Sequence, residues 1–255
     1  MISNFFEILL LSIIQGVSEF LPISSAAHLI LVSSIYEFKN QSLLIDISLH
    51  LGSLLAILFY FRNEIFNLNR NLNLFYKIAV ATIPLIIIGY FLYSSGIIYE
   101  FRNIKVIVWT TFFGAILLHI ADRRKIFKNL ENSFNFKSAL IIGFLQVLDL
   151  MPGVSRAGIT ITAGRILGFD RTDSTKISFY LSIPALAGAS ALGIKDLLNE
   201  NIEFSFIALI GIVLSFIFSL ITIKYFLKFI KKFSFKAFVL YRIILSLILL
   251  YIIYF

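Results

Sequence analysis

Two short polar stretches, QGVSEFLPISSAAH (residues 15–28) and QVLDLMPGVSRAGIT (residues 146–160), interrupt long apolar runs and carry most of the side chains able to do chemistry. Glu19, Asp149 and Arg156 are charges set in apolar surroundings, and Gln15, Ser24, Ser25, His28, Gln146, Ser155 and Thr160 lie beside them. A charge held within a bilayer is costly and by default marks function. Pro22 and Pro152 each force a helix to stop and restart. A restarted helix presents unpaired backbone N–H groups and the positive end of its dipole to the break. Gly153 and Gly158 allow close backbone approach there. Such a terminus, with serine hydroxyls and an arginine, is a receptor for phosphate. Carboxylates would repel that phosphate unless a hard divalent cation stands between them or one of them acts as an acid or base. The combination points to phosphoryl chemistry on a substrate already in the membrane.

Each residue has a chemical and a structural reading. Glu19 is a cation ligand or proton acceptor, or else a hydrogen-bonded structural acid. Arg156 is a bidentate phosphate clamp or a link between helices. Ser25 is a nucleophile or a helix cap, with an activated water as the other attacking group. His28 lies one helical turn beyond Ser25, within reach as base or leaving-group acid. Asp149 is a metal or acid–base group, or a partner for Arg156. Ser155 and Thr160 bind phosphate or cap a helix. Gln15 and Gln146 orient neighbours or simply pack. His50 and His119, on apolar segments, read as structural, and Arg165 and Arg242 as snorkelling to an aqueous face.

The elements that must position these residues follow from composition. The chain has 255 residues, of which 59% are hydrophobic and 14% charged. Soluble domains average roughly 45–50% apolar and about 25% charged, so a water-soluble globule is excluded. The 28 Phe and 11 Tyr exclude disorder. With no cysteine there are no disulfides or thiolate sites. Glu7 and the lack of a basic leader argue against a cleaved signal peptide. Segments 46–62, 76–94, 104–121, 175–193, 204–227 and 237–255 each suit one bilayer crossing. Residues 5–36 and 138–169 instead hold paired short apolar runs around a break, as re-entrant hairpins do.

The predicted fold is an all-α polytopic membrane protein, residues 1–255 forming a single membrane domain. Residues 1–121 and 138–255 each read as a re-entrant hairpin plus three transmembrane helices. At an offset of 130 positions Glu19 aligns with Asp149, Pro22 with Pro152, Ser25 with Ser155 and Ser48 with Ser178. An odd number of spans inverts the second copy, giving an inverted-topology repeat with a midplane site. Loops 62–77, 122–137, 168–176 and 224–236 hold 15 of the 22 Lys and Arg. That face is cytoplasmic by the positive-inside rule, and both termini lie outside. The net charge of +8 is then met by lipid headgroups, with no nucleic acid partner.

QGVSEFLPISSAAHL, together with PGVSRAG and the flanking Gln146, resembles the bacitracin-resistance family of undecaprenyl-diphosphate phosphatases. The resemblance covers nearly the whole chain. It implies an enzyme of the bacterial inner membrane that removes the terminal phosphate of undecaprenyl diphosphate with Mg²⁺ or Ca²⁺. Such an enzyme recycles the lipid carrier for peptidoglycan synthesis and confers bacitracin resistance. Gln15 and Glu19 match the family's acidic motif, Ser24, Ser25 and His28 its Ser-Ser and His, and Ser155, Arg156 and Thr160 its second motif. Gln15 stands where many members have Glu, Ala157 replaces a second Ser, and Asp149 replaces a small residue. The expected partners are the polyprenyl diphosphate substrate, membrane lipids and a second copy of the chain in a homodimer. A polyprenyl-phosphate flippase without hydrolysis is the competing function, since inverted repeats are also transporter architecture.

Overall fold

Proline and serine set the helix boundaries around both breaks. In the computed structural model, which describes residues 2–36, 42–199 and 205–254, α1 (Ile2–Ser18) ends just before Glu19 and α2 (Ser25–Tyr36) begins after Ser24. Then come α3 (Leu43–Tyr60), a short α4 (Arg62–Phe66), α5 (Leu68–Ser94), a short α6 (Ile97–Glu100) and α7 (Ile104–Asp122). Past α8 (Leu130–Ser133), α9 (Phe136–Gln146) tightens into a 3-10 turn at Val147–Leu150, and α10 (Arg156–Ile166) restarts the chain. Three long helices complete it: α11 (Arg171–Asn199), α12 (Phe206–Ile230) and α13 (Lys236–Tyr254).

Among the described residues, six helices are long and apolar enough to cross a membrane: α3, α5, α7, α11, α12 and α13. They coincide with the six expected spans, so the chain is a multi-pass, all-α membrane protein. Several boundaries differ from expectation, among them the start of α5, at Leu68 rather than residue 76. α1 covers 17 residues rather than the apolar run 5–14, because Gln15 to Ser18 continue the helix and the Ser18 hydroxyl donates back to the Ile14 carbonyl. At 1.5 Å per residue α1 is about 25 Å long, still shorter than a hydrocarbon core of about 30 Å. α11 runs on to Asn199, past the expected end at residue 193.

Large apolar side chains such as Ile87, Phe91, Phe113 and Ile252 point outward, as lipid-facing residues do. The helix interfaces use small and hydroxylated residues instead. α12 packs on α3 through Ser215, which donates to the Leu49 carbonyl at 2.7 Å, and Ser219, which bonds Ser53 at 3.0 Å. An aromatic cluster of Phe20, Phe61, Phe179 and Phe226 fills the interior, with Phe20 and Phe179 edge to face. At the Lys/Arg-rich end, Asp122 accepts from Arg171 Nε at 2.7 Å and also pairs with Arg165 at 3.7 Å. Arg165 does not snorkel. It is buried and donates to the carbonyls of Phe169, Asp122 and Arg124, locking α10 to the end of α7.

Candidate active site

Both restarted helices are capped by a serine with left-handed backbone. Ser24 has φ 75° and Ser155 φ 72°, and they are the positive-φ residues other than glycine among those described. That conformation is uncommon for a side chain bearing a Cβ and costs on the order of 1–3 kcal/mol each, so the surroundings must enforce it. Ser155 Oγ accepts from Gly158 N at 3.1 Å and caps α10. Ser24 Oγ accepts from Ala27 N at 3.4 Å and also from Gly153 N at 3.2 Å, tying the first break to the second. The two caps are therefore 131 positions apart, one more than the motif register of 130. Ser24, not Ser25, is the cap in the first break.

That frees the Ser25 hydroxyl, which donates to Glu19 Oε2 at 2.7 Å. Gln15 Nε2, one turn earlier on α1, donates to the same oxygen at 3.0 Å. The other carboxylate oxygen, Oε1, accepts from Arg156 Nη2 at 2.7 Å, and Arg156 Nη1 donates to the Ser178 carbonyl at 3.2 Å. Both members of this ion pair are buried. A buried pair of this kind joins the two halves of the chain, and losing either member would strand the other charge.

A cavity of about 140 Å³ lies over this group, lined by Glu19, Ser24, Ser25, His50, Asp149, Ser155 and Arg156, with Pro152 and the α11 residues Ala185, Leu186 and Ala189. Six of the expected site residues thus share one space. Others do not line it. His28 has turned away: its Nδ1 donates to the Ser24 carbonyl at 2.6 Å, and its Nε2 pairs with the Tyr241 hydroxyl at 2.5 Å. Thr160 Oγ1 lies 2.7 Å from both the Arg156 carbonyl and Ser178 Oγ, bracing α10 against α11. Gln146 is wholly buried outside the cavity, with both amide atoms lacking a partner among the described residues.

Gly153 and Gly158 serve close packing. Gly153 has φ +95°, and a Cβ there would lie 2.2 Å from Thr110 Oγ1; a Cβ on Gly158 would lie 2.8 Å from Arg242 Nη1. Arg242 itself overturns the expectation that it snorkels. It is fully buried and donates to the carbonyls of Pro22 at 3.3 Å, Gly153 at 2.9 Å and Val154 at 3.0 Å. One cation on α13 therefore staples both breaks together.

Two residues have a larger part at the site than their sequence context implies. Arg242 sits about one and a half turns inside an apolar helix, and that depth is its signal in the sequence. His50 carried no distinguishing spacing, and only folding brings α3 to the cavity. For a hard cation the cavity offers the Glu19 and Asp149 carboxylates; Gln15, with a buried and unpartnered Oε1, adjoins Glu19 but does not line the cavity. Among the described residues no three His, Asp or Glu come together as a metal cage. This donor set suits an ion that takes its remaining ligands from outside the protein, as Mg²⁺ commonly does.

The sequence matches the family model described as bacitracin resistance protein BacA over residues 8–248. It is 53% identical to the undecaprenyl-diphosphatase of Pelagibacter ubique (strain HTCC1062), over 255 residues and 100% of both chains. It is 42% identical to the undecaprenyl-diphosphatase of Elusimicrobium minutum (strain Pei191), over 94% of this chain and 95% of that one. The undecaprenyl-diphosphatase of Alteromonas mediterranea (strain DSM 17117 / CIP 110805 / LMG 28347 / Deep ecotype) is 39% identical over 98% of both. With these matches spanning the helices that build the cavity, the chain belongs to the BacA family of bacitracin resistance proteins.

Proposed function

We propose that this membrane protein is an undecaprenyl-diphosphatase, hydrolysing undecaprenyl diphosphate to undecaprenyl phosphate and inorganic phosphate. The reading rests on full-length similarity to curated enzymes of that activity. The observation in the site that carries it is the relay Ser25–Glu19–Arg156, which sets a hydroxyl, a proton acceptor and a cation around one small polar cavity. A carrier without hydrolysis has no need of a hydroxyl aligned on a buried carboxylate.

In this mechanism the diphosphate occupies the cavity while the polyprenyl tail stays in lipid. Ser25 Oγ, or a water in its place, attacks the terminal phosphorus and gives its proton to Glu19 Oε2. The bond from that phosphorus to the bridging oxygen breaks, and undecaprenyl phosphate leaves with the bonding pair. If Ser25 is the attacking group, water then cleaves the phosphoseryl ester. Arg156 holds Glu19 through Oε1, so that Oε2 faces Ser25, and its charge offsets that developing on phosphate oxygens. Ser24 and Ser155 keep the two helix N-termini aimed at the cavity. A divalent cation would be held by Glu19 and Asp149, with Gln15 Oε1 nearby, and would supply charge neutralisation at the phosphates.

His28 acts on this reading through the Ser24 carbonyl, as a positioning residue. The two halves form an inverted repeat in the bacterial inner membrane, the Lys/Arg-rich end facing the cytoplasm and both termini outside. The test is phosphate release from undecaprenyl diphosphate by purified protein in detergent, with and without a chelator. Release that stops on chelation and returns with Mg²⁺ or Ca²⁺ is expected. Folded protein that releases no phosphate with any cation would move the assignment to a lipid flippase.

A further inference from the structure

The chain contains three histidines, and the one that folding brings to the catalytic cavity is His50. His28 is engaged with Ser24 and Tyr241, and His119 lies in the last turn of α7. His50 also lines a second cavity of about 550 Å³, formed by the ends of α3, α5 and α11 together with α6 and the turn after it. Two residues are common to the two spaces, His50 and Ala189, so the spaces adjoin at these side chains, called here the neck. The wider space is a vestibule at the end of the bundle opposite the Lys/Arg-rich loops, with Asp46, Arg102 and Asp196 in its wall.

The His50 ring is fixed. Its Nδ1 donates to the Asp46 carbonyl at 2.7 Å, one turn back on α3. The nitrogen that remains for the neck is Nε2. In the neutral ring Nε2 accepts a hydrogen bond, and the protonated ring donates one there. Hydrogen phosphate carries both an O–H and acceptor oxygens, so it can bond to Nε2 in either state. Arg156, the arginine of the inner cavity, already donates to Glu19 and to the Ser178 carbonyl. Carboxylates stand on both sides of the neck: Glu19 and Asp149 inward, Asp46 and Asp196 outward.

We propose that His50 is a phosphate-binding residue at the exit of the site, receiving inorganic phosphate through Nε2 as it passes from the catalytic cavity to the vestibule. This rests on the hydrolytic reading, because a free phosphate must be produced and must leave. The lipid product departs sideways into the membrane, whereas the inorganic product is excluded from lipid by its charge and needs a polar route. The neck at His50 and Ala189 supplies that route.

The test uses full-length protein in detergent and inorganic phosphate as the probe. Phosphate binding is measured by protection against thermal unfolding and, separately, by inhibition of turnover. His50→Ala should weaken phosphate by about 10- to 100-fold in both, the loss of one hydrogen bond to a charged ligand. His50→Gln, whose terminal amide reaches a similar place and can donate or accept, should recover most of it. A purely structural His50 would change the unfolding temperature without phosphate but leave phosphate affinity alone. Unchanged affinity in a folded His50→Ala protein, or a Gln variant no better than Ala, overturns the proposal. If His50→Ala does not fold, Ala189→Leu narrows the same neck, and unchanged turnover and phosphate inhibition in that variant would overturn it as well. Wild-type protein that binds phosphate through His50 yet never hydrolyses the lipid would retire the hydrolytic reading and leave the phosphate site standing.

Discussion

Arg242→Met removes the staple between the two breaks and nothing else of similar size. The native guanidinium donates to three buried carbonyls, those of Pro22, Gly153 and Val154. The Gly153 carbonyl keeps a long bond from Thr111 Oγ1 at 3.4 Å, so two acceptors, Pro22 and Val154, lose their side-chain donor. A buried acceptor left unsatisfied costs roughly 1–3 kcal/mol, which gives about 2–6 kcal/mol before compensation. Replacing a buried cation by a thioether recovers part of that, because the charge no longer has to be kept out of water. A net loss of about 2–4 kcal/mol corresponds to a fall in Tm of roughly 5–15 °C for a chain of this size. Turnover should fall with it, since Ser24 and Gly153 hold the two breaks in register only while both loops are pinned. Arg242→Lys should rescue little, because one ammonium cannot span three carbonyls in a fan. The assay is thermal unfolding in detergent, followed by phosphate release well below the new midpoint. A variant within about 2 °C of wild type and fully active would refute the staple, placing the cohesion of the breaks in helix packing instead.

Arg156→Ala strands Glu19 as a buried unpaired charge, a loss of about 3–5 kcal/mol. It should also abolish phosphate release; full turnover would remove Arg156 from the mechanism. Ser25→Ala should reduce turnover to background and prevent trapping of a phosphorylated protein, whereas near-normal rates would assign the attack to water. Gly143→Ala places a Cβ 2.0 Å from the Ala81 carbonyl oxygen, so α9 and α5 must separate, while the same change at Gly188 meets nothing within 4 Å. The first should cost about 1–3 kcal/mol and the second should be neutral or slightly stabilising; thermal melts of the pair check both. Gln15→Glu replaces the amide donor to Glu19 with a like charge, so it should lower Tm without cation and make activity more dependent on Mg²⁺ or Ca²⁺.

The sequence alone determined the six spans, the two interrupted regions and the charges set at the breaks, Glu19, Asp149 and Arg156. Those features are local: hydropathy over about 20 residues sets whether a helix can cross a membrane, and a proline among polar residues marks the breaks, whereas Pro84 and Pro184 lie within α5 and α11. Glu19, Ser25 and Arg156 were legible for the same reason, as polar groups whose presence in an apolar run needs an explanation. Tertiary structure decided how they are used. Ser24 takes the cap because its backbone is held left-handed against Gly153, and that leaves Ser25 for Glu19. His28, one turn from Ser25 in sequence, is drawn instead to Tyr241, 213 positions away. His50 reaches the cavity because α3 packs against α11 and α12. Arg242 and Arg165, read locally as snorkelling, turn inward because carbonyls freed by helix breaks and ends lie within reach. A buried carbonyl without a donor is costly enough to recruit a cation from another helix. Hydropathy and spacing are properties of neighbours in the chain, whereas hydrogen-bond partners across a packed interior depend on which elements meet.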